Sequence, residues 1–348
     1  MPGKKWLWRG IWIAGGAVIL TATFLVTLFY TWISAPSLVR TDQDSLYFFV
    51  HTGWEYPDVY QEIRTAGFLK YEKGFDWVAK RKSYPELVKP GRYLLLKNMS
   101  NSDMVNLLRS GRQSEVSLVF NTTRYFDRLA GVIARQLEAD SASLLAAFRD
   151  TARMQSYGFT PTNWAAMFVP NTYRFLWNTN ADQFLDRMKR EFDAFWNEDR
   201  MNKLQEIGLD RFEVVTLASI VQEETFKPDE MPRVAGTYMN RLKKGIRLQA
   251  DPTVIFAIGD YTIRRVLHRH LIIDSPYNTY KYAGLPPGPI RIPSMQAIDA
   301  CLNYEKHEYI YFCAREDFSG YHSFAKSYSE HLKNARRYRK AISIKEKG

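Results

Sequence analysis

The chain has 348 residues, enough for two domains and a sizeable core, and 48 Lys and Arg against 37 Asp and Glu give it a formal charge of +11. Such an excess suits anionic lipid, nucleic acid or an acidic polymer. The basic residues form no interleaved aromatic stripe, which argues against nucleic acid; many of them (Lys333, Arg336, Arg337, Arg339, Lys340) read as the solvated face of a terminal helix.

Residues 11–33 are almost wholly apolar and carry no charge, a length that matches a helix crossing a bilayer. Trp6, Trp8 and Trp12 at one end, and Tyr30 and Trp32 at the other, suit the two membrane interfaces. Lys4, Lys5 and Arg9 precede the span, so the positive-inside rule leaves the N-terminus in the cytoplasm and everything from about Ser34 across the membrane. The small residues Ser34-Ala35-Pro36 would also fit a cleaved signal peptide. The apolar stretch exceeds the usual ~7–15 residues of such a peptide, which favours an uncleaved, single-pass anchor.

A short polar stretch at 39–45 leads to a strand at 46–50 and a helix at 57–67 ending in Gly. Lys89-Pro90-Gly91 turns the chain into a strand at 93–96. Ser102-Asp103 can cap a helix to Leu108, stopped by Gly111, and 116–120 reads as a further strand. This alternation predicts one small α+β module. Beyond it the pattern is mainly helical, with helices expected at 125–138, 141–151, 181–196, 211–224, 228–243 and 327–341. Cys301 and Cys313 allow at most one disulfide; their apolar and aromatic neighbours favour free buried thiols.

The helix at 211–224 is the most informative element. Leu217, Ile220, Val221 and Glu224 fall at i, i+3, i+4 and i+7 and share one face, so Glu224 stands in apolar company. Glu223 lies about 100° round the helix, beside Thr216 and Ser219, where it is expected to reach water. Burial raises a carboxyl pKa, as a general acid working near neutral pH requires.

The irregular segments 245–254, 275–280 and 284–290 are dense in Pro, Gly, Asn and Tyr. Stiff loops carrying polar and aromatic side chains suit a groove for a large polar ligand, though an elaborate structural loop has the same composition. Tyr277, Tyr280 and Tyr282 can stack on sugar faces, and Gln249, Asp251 and Asn278 can read hydroxyls. Asp251 has two readings: it precedes Pro252 and can cap a helix at 252–258, or it can contact substrate and support positive charge. A metal hydrolase finds ligand types in His268, His270, His307 and His322 but no matching spacing. Gly-x-Ser-x-Gly is absent.

Several of these segments recur together in one family. Leu217-Ala-Ser-Ile-Val-Gln-Glu-Glu-Thr225, Asn240-Arg-Leu242, Leu248-Gln-Ala-Asp-Pro-Thr-Val254, Tyr277-Asn-Thr-Tyr280 and Gly284-Leu-Pro-Pro-Gly288 stand in that family's order. So do Pro170-Asn-Thr-Tyr173, Tyr309-Ile-Tyr-Phe312 and His322-Ser-Phe324. The chain thereby resembles, over effectively its full length, the MltG or YceG-like family of endolytic lytic transglycosylases of the bacterial cell wall.

The resemblance implies an α+β protein in three parts: a cytoplasmic N-terminus and transmembrane anchor (1–34), a LysM-like module (35–120) and a mainly helical catalytic domain (121–348). It places the catalytic domain in the periplasm on the inner membrane, acting without a cofactor or metal on glycan strands beside the peptidoglycan synthases. The family's catalytic Glu, second acid of a Glu-x-Glu pattern, maps onto Glu224, with Gln222 at the first position. Two departures stand out: Asn171 replaces an acid, and a family Glu just upstream appears as Ala165. A non-catalytic glycan-binding scaffold is the alternative function.

Overall fold

The computed structural model describes residues 3–38 and 44–346. The polar stretch at 39–45 therefore falls mostly outside the described residues, as do the side chains of Lys4, Lys5, Trp6 and Trp8. The protein is mixed α+β, mainly helical, with short two-stranded sheets. It divides into two compact units, the first made of residues 1–117, 136–138 and 174–179, the second of the remainder.

The first unit runs α1 (Gly3–Ser34), β1 (Ser45–Val50), α2 (Tyr56–Ala66), α3 (Glu72–Arg81), β2 (Gly91–Leu96) and α4 (Asn101–Ser110). β1 and β2 are antiparallel, with Ser45 opposite Leu96 and Val50 opposite Gly91. Alternation turns Phe48, Val50, Tyr93 and Leu95 onto one face, where they meet Val59, Ile63, Phe75, Val78 and Val105 from the helices. α2 starts where Asp58 bonds back to the Glu55 amide at 2.9 Å, and stops at left-handed Gly67. α4 is capped two residues earlier than the expected Ser102: Ser100 Oγ accepts from the Asp103 amide while Asp103 answers the Ser100 amide. α3 was not foreseen. The expected third strand of the module, β3 (Val116–Phe120), does not join β1 and β2; it pairs with β4 (Asn171–Phe175).

Between those strands lie α5 (Phe126–Ala134), α6 (Ser141–Arg149) and α7 (Thr151–Ser156), then a 3-10 turn at Trp164–Met167. After β4 come α8 (Ala181–Phe195), α9 (Glu198–Ile207), α10 (Arg211–Glu224), α11 (Met231–Lys243), α12 (Asp251–Ile258), α13 (His268–Leu271) and α14 (Met295–Leu302). The hairpin β5 (Tyr311–Ala314) and β6 (His322–Ala325) follows, and α15 (Tyr328–Lys345) ends the fold. An aromatic cluster of Phe148, Phe159, Trp164, Phe168, Phe184 and Phe192 forms one part of the second core. The other part surrounds α10, whose residues from Val214 to Gln222 are all buried, against α11 and α14. Expected and observed spans of α10 coincide. Cys301 is buried and Cys313 half-buried; both are free.

The Pro- and Gly-dense loop at 284–290 packs closely on the second core. A Cβ placed on Gly288 would lie 1.9 Å from the carbonyl oxygen of Thr162, which no real contact tolerates. Gly288→Ala should therefore force the backbone apart and cost about 1–3 kcal/mol or more, read as a fall in the melting temperature.

Candidate active site

α10 is a helix because Asp210 caps it firmly. Its Oδ1 accepts from the amides of Phe212 and Glu213 at 2.7 and 2.8 Å, and Glu213 bonds back to the Asp210 amide at 2.8 Å. The helix ends at Glu224: Thr225 is extended, and Pro228 follows shortly. The expected apolar face is only part of the picture, since the helix is enclosed on every side. Glu224 emerges at its last residue into a cleft of about 380 Å³ lined also by Tyr238, Arg241, Gln249, Asp251, Tyr280 and His322.

Burial pushes the Glu224 carboxyl up to about 7, and the negative charge of Asp251 adds to the rise. The C-terminal end of the helix dipole acts in the same direction. Opposing them, the hydroxyl of Tyr238, on α11, donates to Glu224 Oε1 at 2.7 Å and favours the ionised form. The result is an acid that carries its proton near neutrality and can release it.

Its neighbour Glu223 does not reach water, contrary to the facial expectation. Its side chain is buried between two guanidinium groups. Arg291 Nη1 bonds Oε1 at 2.7 Å, and Arg124 grips both oxygens, with Nε at 2.6 Å from Oε1. Arg291 also donates to Thr122 Oγ1 at 2.9 Å. Gln222 is buried too, and accepts from the amide and hydroxyl of Ser294 at the start of α14.

The remaining sequence-predicted residues separate into three kinds. Asp251 is the first residue of α12 rather than its cap, which is Ala250; its Oδ1 instead accepts from the Tyr280 hydroxyl at 2.5 Å, inside the cleft. Gln249 stands on the cleft wall in a left-handed backbone conformation, φ 53°, and its Oε1 accepts from Arg241 Nη2 at 2.6 Å. Arg241 further donates to the carbonyls of Arg247 and Ile310, so it ties the 247–249 loop to the β-hairpin. Asn278 is not at the cleft. It is wholly buried, donating to the carbonyls of Leu271 and Ile273 and accepting from the Tyr280 amide, so it shapes the loop that presents Tyr280. Of the tyrosines offered as stacking platforms, only Tyr280 lines the cleft. Tyr277 packs on Phe256, ring centroids 4.6 Å apart, and Tyr282 bonds Asp274. Asn171 is exposed at the start of β4, and Ala165 lines a separate cavity beside Arg124 and Arg291.

Two participants escaped the sequence reading, Tyr238 and Glu230, and a third, His322, was offered there only as a metal ligand and as part of a family motif. His322 Nδ1 lies 2.8 Å from Glu230 Oε2, and the His322 amide donates to Glu230 Oε1 at 2.7 Å. Thr225 Oγ1 donates to the same carboxylate at 3.0 Å. Burial raises the Glu230 pKa, but these bonds outweigh it and hold the group below its ordinary value. A carboxylate on Nδ1 fixes a proton there; Nε2 has no protein hydrogen-bond partner among the described residues, and His322 lines the cleft. The other histidines offered as metal ligands are spread apart: His270 bonds the Leu267 amide, and His307 braces Asn240 and Arg233.

The YceG-like family model matches residues 48–337 of this chain. A Bacillus subtilis protein named endolytic murein transglycosylase is 29% identical over 292 residues, covering 79% of this chain and 80% of that one. A Streptococcus pneumoniae protein of the same name is 29% identical over 289 residues, and there the match spans 73% of this chain but only 52% of the relative, about half its length. A crystal structure of a yceG-like protein from Listeria monocytogenes is similar at TM-score 0.54 and 26% identity, covering 83% of this chain and 98% of that one. With its family match running from β1 to α15, the chain belongs to the YceG-like family.

Proposed function

We propose that this chain is an endolytic lytic transglycosylase that cleaves the MurNAc-β-1,4-GlcNAc bond of peptidoglycan, with Glu224 as both general acid and general base. The observation that carries the reading is the Glu224 carboxyl itself, held by Tyr238 in an open cleft with its pKa moved up to about 7. The names of the Bacillus and Streptococcus relatives support the same substrate.

Protonated Glu224 gives its proton to the leaving glycosidic oxygen. The C6 hydroxyl of the muramic residue attacks C1, and the Glu224 carboxylate takes the hydroxyl proton, which restores the acid and leaves a 1,6-anhydro end. No water is consumed, so the two-carboxylate geometry of ordinary glycosidases is not required. Asp251, fixed by Tyr280, supports the positive charge developing at C1. His322, which lines the cleft, would bond a sugar hydroxyl through Nε2, and Gln249 contributes to the wall.

The test is mass analysis of the fragments released from uncrosslinked and crosslinked peptidoglycan by the full chain in detergent. Products ending in 1,6-anhydro-muramic acid support the reaction. Reducing ends would mean that water is the acceptor, and bound but uncut glycan would favour a scaffold.

Tyr238→Phe provides a pH test of the acid. The lost hydrogen bond favoured the carboxylate, so its removal moves the Glu224 pKa further up. Activity that needs the protonated acid falls above that pKa, so the alkaline limb of kcat/KM should shift to higher pH in the variant.

We further read the chain as anchored in the inner membrane by residues 1–34, N-terminus inside, with a LysM-like glycan-binding module at 35–120 and the catalytic domain at 121–348 in the periplasm. A 23-residue apolar helix at Trp12–Ser34, uncharged and with none of it buried, supports the anchor. The separate core around β1 and β2 supports the module. An enzyme so tethered would act on nascent strands beside the synthases and end their elongation.

A further inference from the structure

The last turns of α1 do not lead into a free linker within the first unit; they are docked on α3 and α4. Asn101 Nδ2, at the start of α4, donates to the carbonyl of Trp32 at 2.8 Å and to that of Tyr71 at 2.9 Å. Gly74 on α3 lets α1 approach closely: a Cβ there would sit 2.7 Å from the Trp32 carbonyl oxygen. One turn on from Gly74, Trp77 packs edge-on against Phe29, ring centroids 4.9 Å apart.

These contacts fix a depth. Phe29 precedes Ser34, the last residue of the apolar helix, by five positions, about 7 Å along the axis. The 23-residue stretch Trp12–Ser34 is about 34 Å long, slightly more than a hydrocarbon core of about 30 Å. Whatever touches Phe29 therefore lies about 5 Å below the headgroup boundary, on its hydrocarbon side. Trp77 does so and is still 42% exposed, level with Tyr30 and Trp32, which are 63% and 39% exposed. Along α3, Lys73 and Arg81 stand four residues before and after Trp77, on the same stripe, both exposed. Neither has a carboxylate partner among the described residues, whereas the other α3 acid–base pair, Asp76 with Lys80, is closed at 2.8 Å. Glu72, at the head of the helix, lies about 100° away from Lys73.

We propose that the Lys73–Trp77–Arg81 stripe of α3 is a membrane-surface contact, in which Trp77 inserts beside the anchor and the two cations meet anionic headgroups. An aromatic residue flanked by cations at this depth matches the physics of an interfacial helix face. The first unit would then be held against the bilayer at a set orientation.

The inference rests on α1 being a membrane span, and the experiment separates the two. The full chain, with Cys313→Ser to remove the half-buried thiol, is placed in lipid nanodiscs with single labels at Trp77→Cys, Phe24→Cys or Gln61→Cys. Spin-labelled lipid and aqueous iodide are the quenchers. Position 77 is expected to be quenched by headgroup-region lipid and shielded from iodide, position 24 by deep lipid, and position 61 by iodide alone. The quenching at 77 should strengthen with anionic lipid, and Lys73→Gln with Arg81→Gln should remove that difference while leaving position 24 unchanged. Iodide access at 77 with position 24 lipid-quenched would overturn the contact and keep the span. Iodide access at both would overturn both.

Discussion

Glu224→Gln is expected to lower the rate of anhydro-end formation by about 10²–10⁴-fold while the protein remains folded and still binds glycan. The amide keeps the shape of the carboxyl, and its oxygen can still accept from Tyr238 at the end of α10. What it loses is the proton that must go to the leaving oxygen and come back from the C6 hydroxyl. The same change should alter stability in a direction that a carboxyl of ordinary pKa would not show. Because the folded-state pKa is raised to about 7 from 4.5, the native protein binds a proton that the unfolded chain has released between those values. Stability of the parent protein therefore falls as pH climbs through that window, and the Gln variant escapes the loss. Denaturant unfolding of both at about pH 5 and pH 8 should show the variant gaining relative stability at the higher pH. An inactive variant with no such gain would place the acid in an ordinary aqueous setting and remove the basis of the mechanism.

The site was legible where local chemistry decided it and illegible where distant segments did. α10 could be read because its apolar run is long and ends in two acids. The roles of those acids could not be read from helical angles, because angles separate faces only when one face meets water. Here the helix is buried all round, and Glu223 finds Arg291 and Arg124 at sequence distances of 68 and 99 residues. The pairing of Glu230 with His322 spans 92 residues and is equally invisible in either segment. Tyr238 was closer to reach, since it lies three residues before Arg241 in the Asn-Arg-Leu stretch and so shares its face. Asp251 carried two readings, a cap or a substrate contact, and local sequence could not choose between them; the helix begins at Asp251, which excludes the cap, and its carboxylate turns to Tyr280. Among the missed helices, α9 buries only Leu204, so no periodic apolar signal existed to mark it. α3 buries Gly74, Phe75, Val78 and Ala79, a narrow seam hidden among charges.

Glu223→Gln, which an acid facing water as expected would tolerate with little effect, should instead be among the most destabilising single changes in the second unit. Arg291 and Glu223 are both under a tenth exposed, so the ion pair is shielded from water and the loss of one partner strands the other's charge. Gln can still accept a hydrogen bond but cannot neutralise two guanidinium groups. A loss of about 3–5 kcal/mol is expected, read as a lowered denaturant midpoint. Arg124→Gln should cost less, because Arg124 is 37% exposed and its charge is partly met by solvent. The trio also bears on the acid next door. The charge on Glu223 is one of the influences that raise Glu224, so its removal should bring the Glu224 pKa slightly down and move the alkaline limb of activity to lower pH. That shift is opposite in sign to the one expected for Tyr238→Phe. Unchanged melting in Glu223→Gln would mean that the two arginines are neutralised from elsewhere and that the trio does not hold the end of α10 in place.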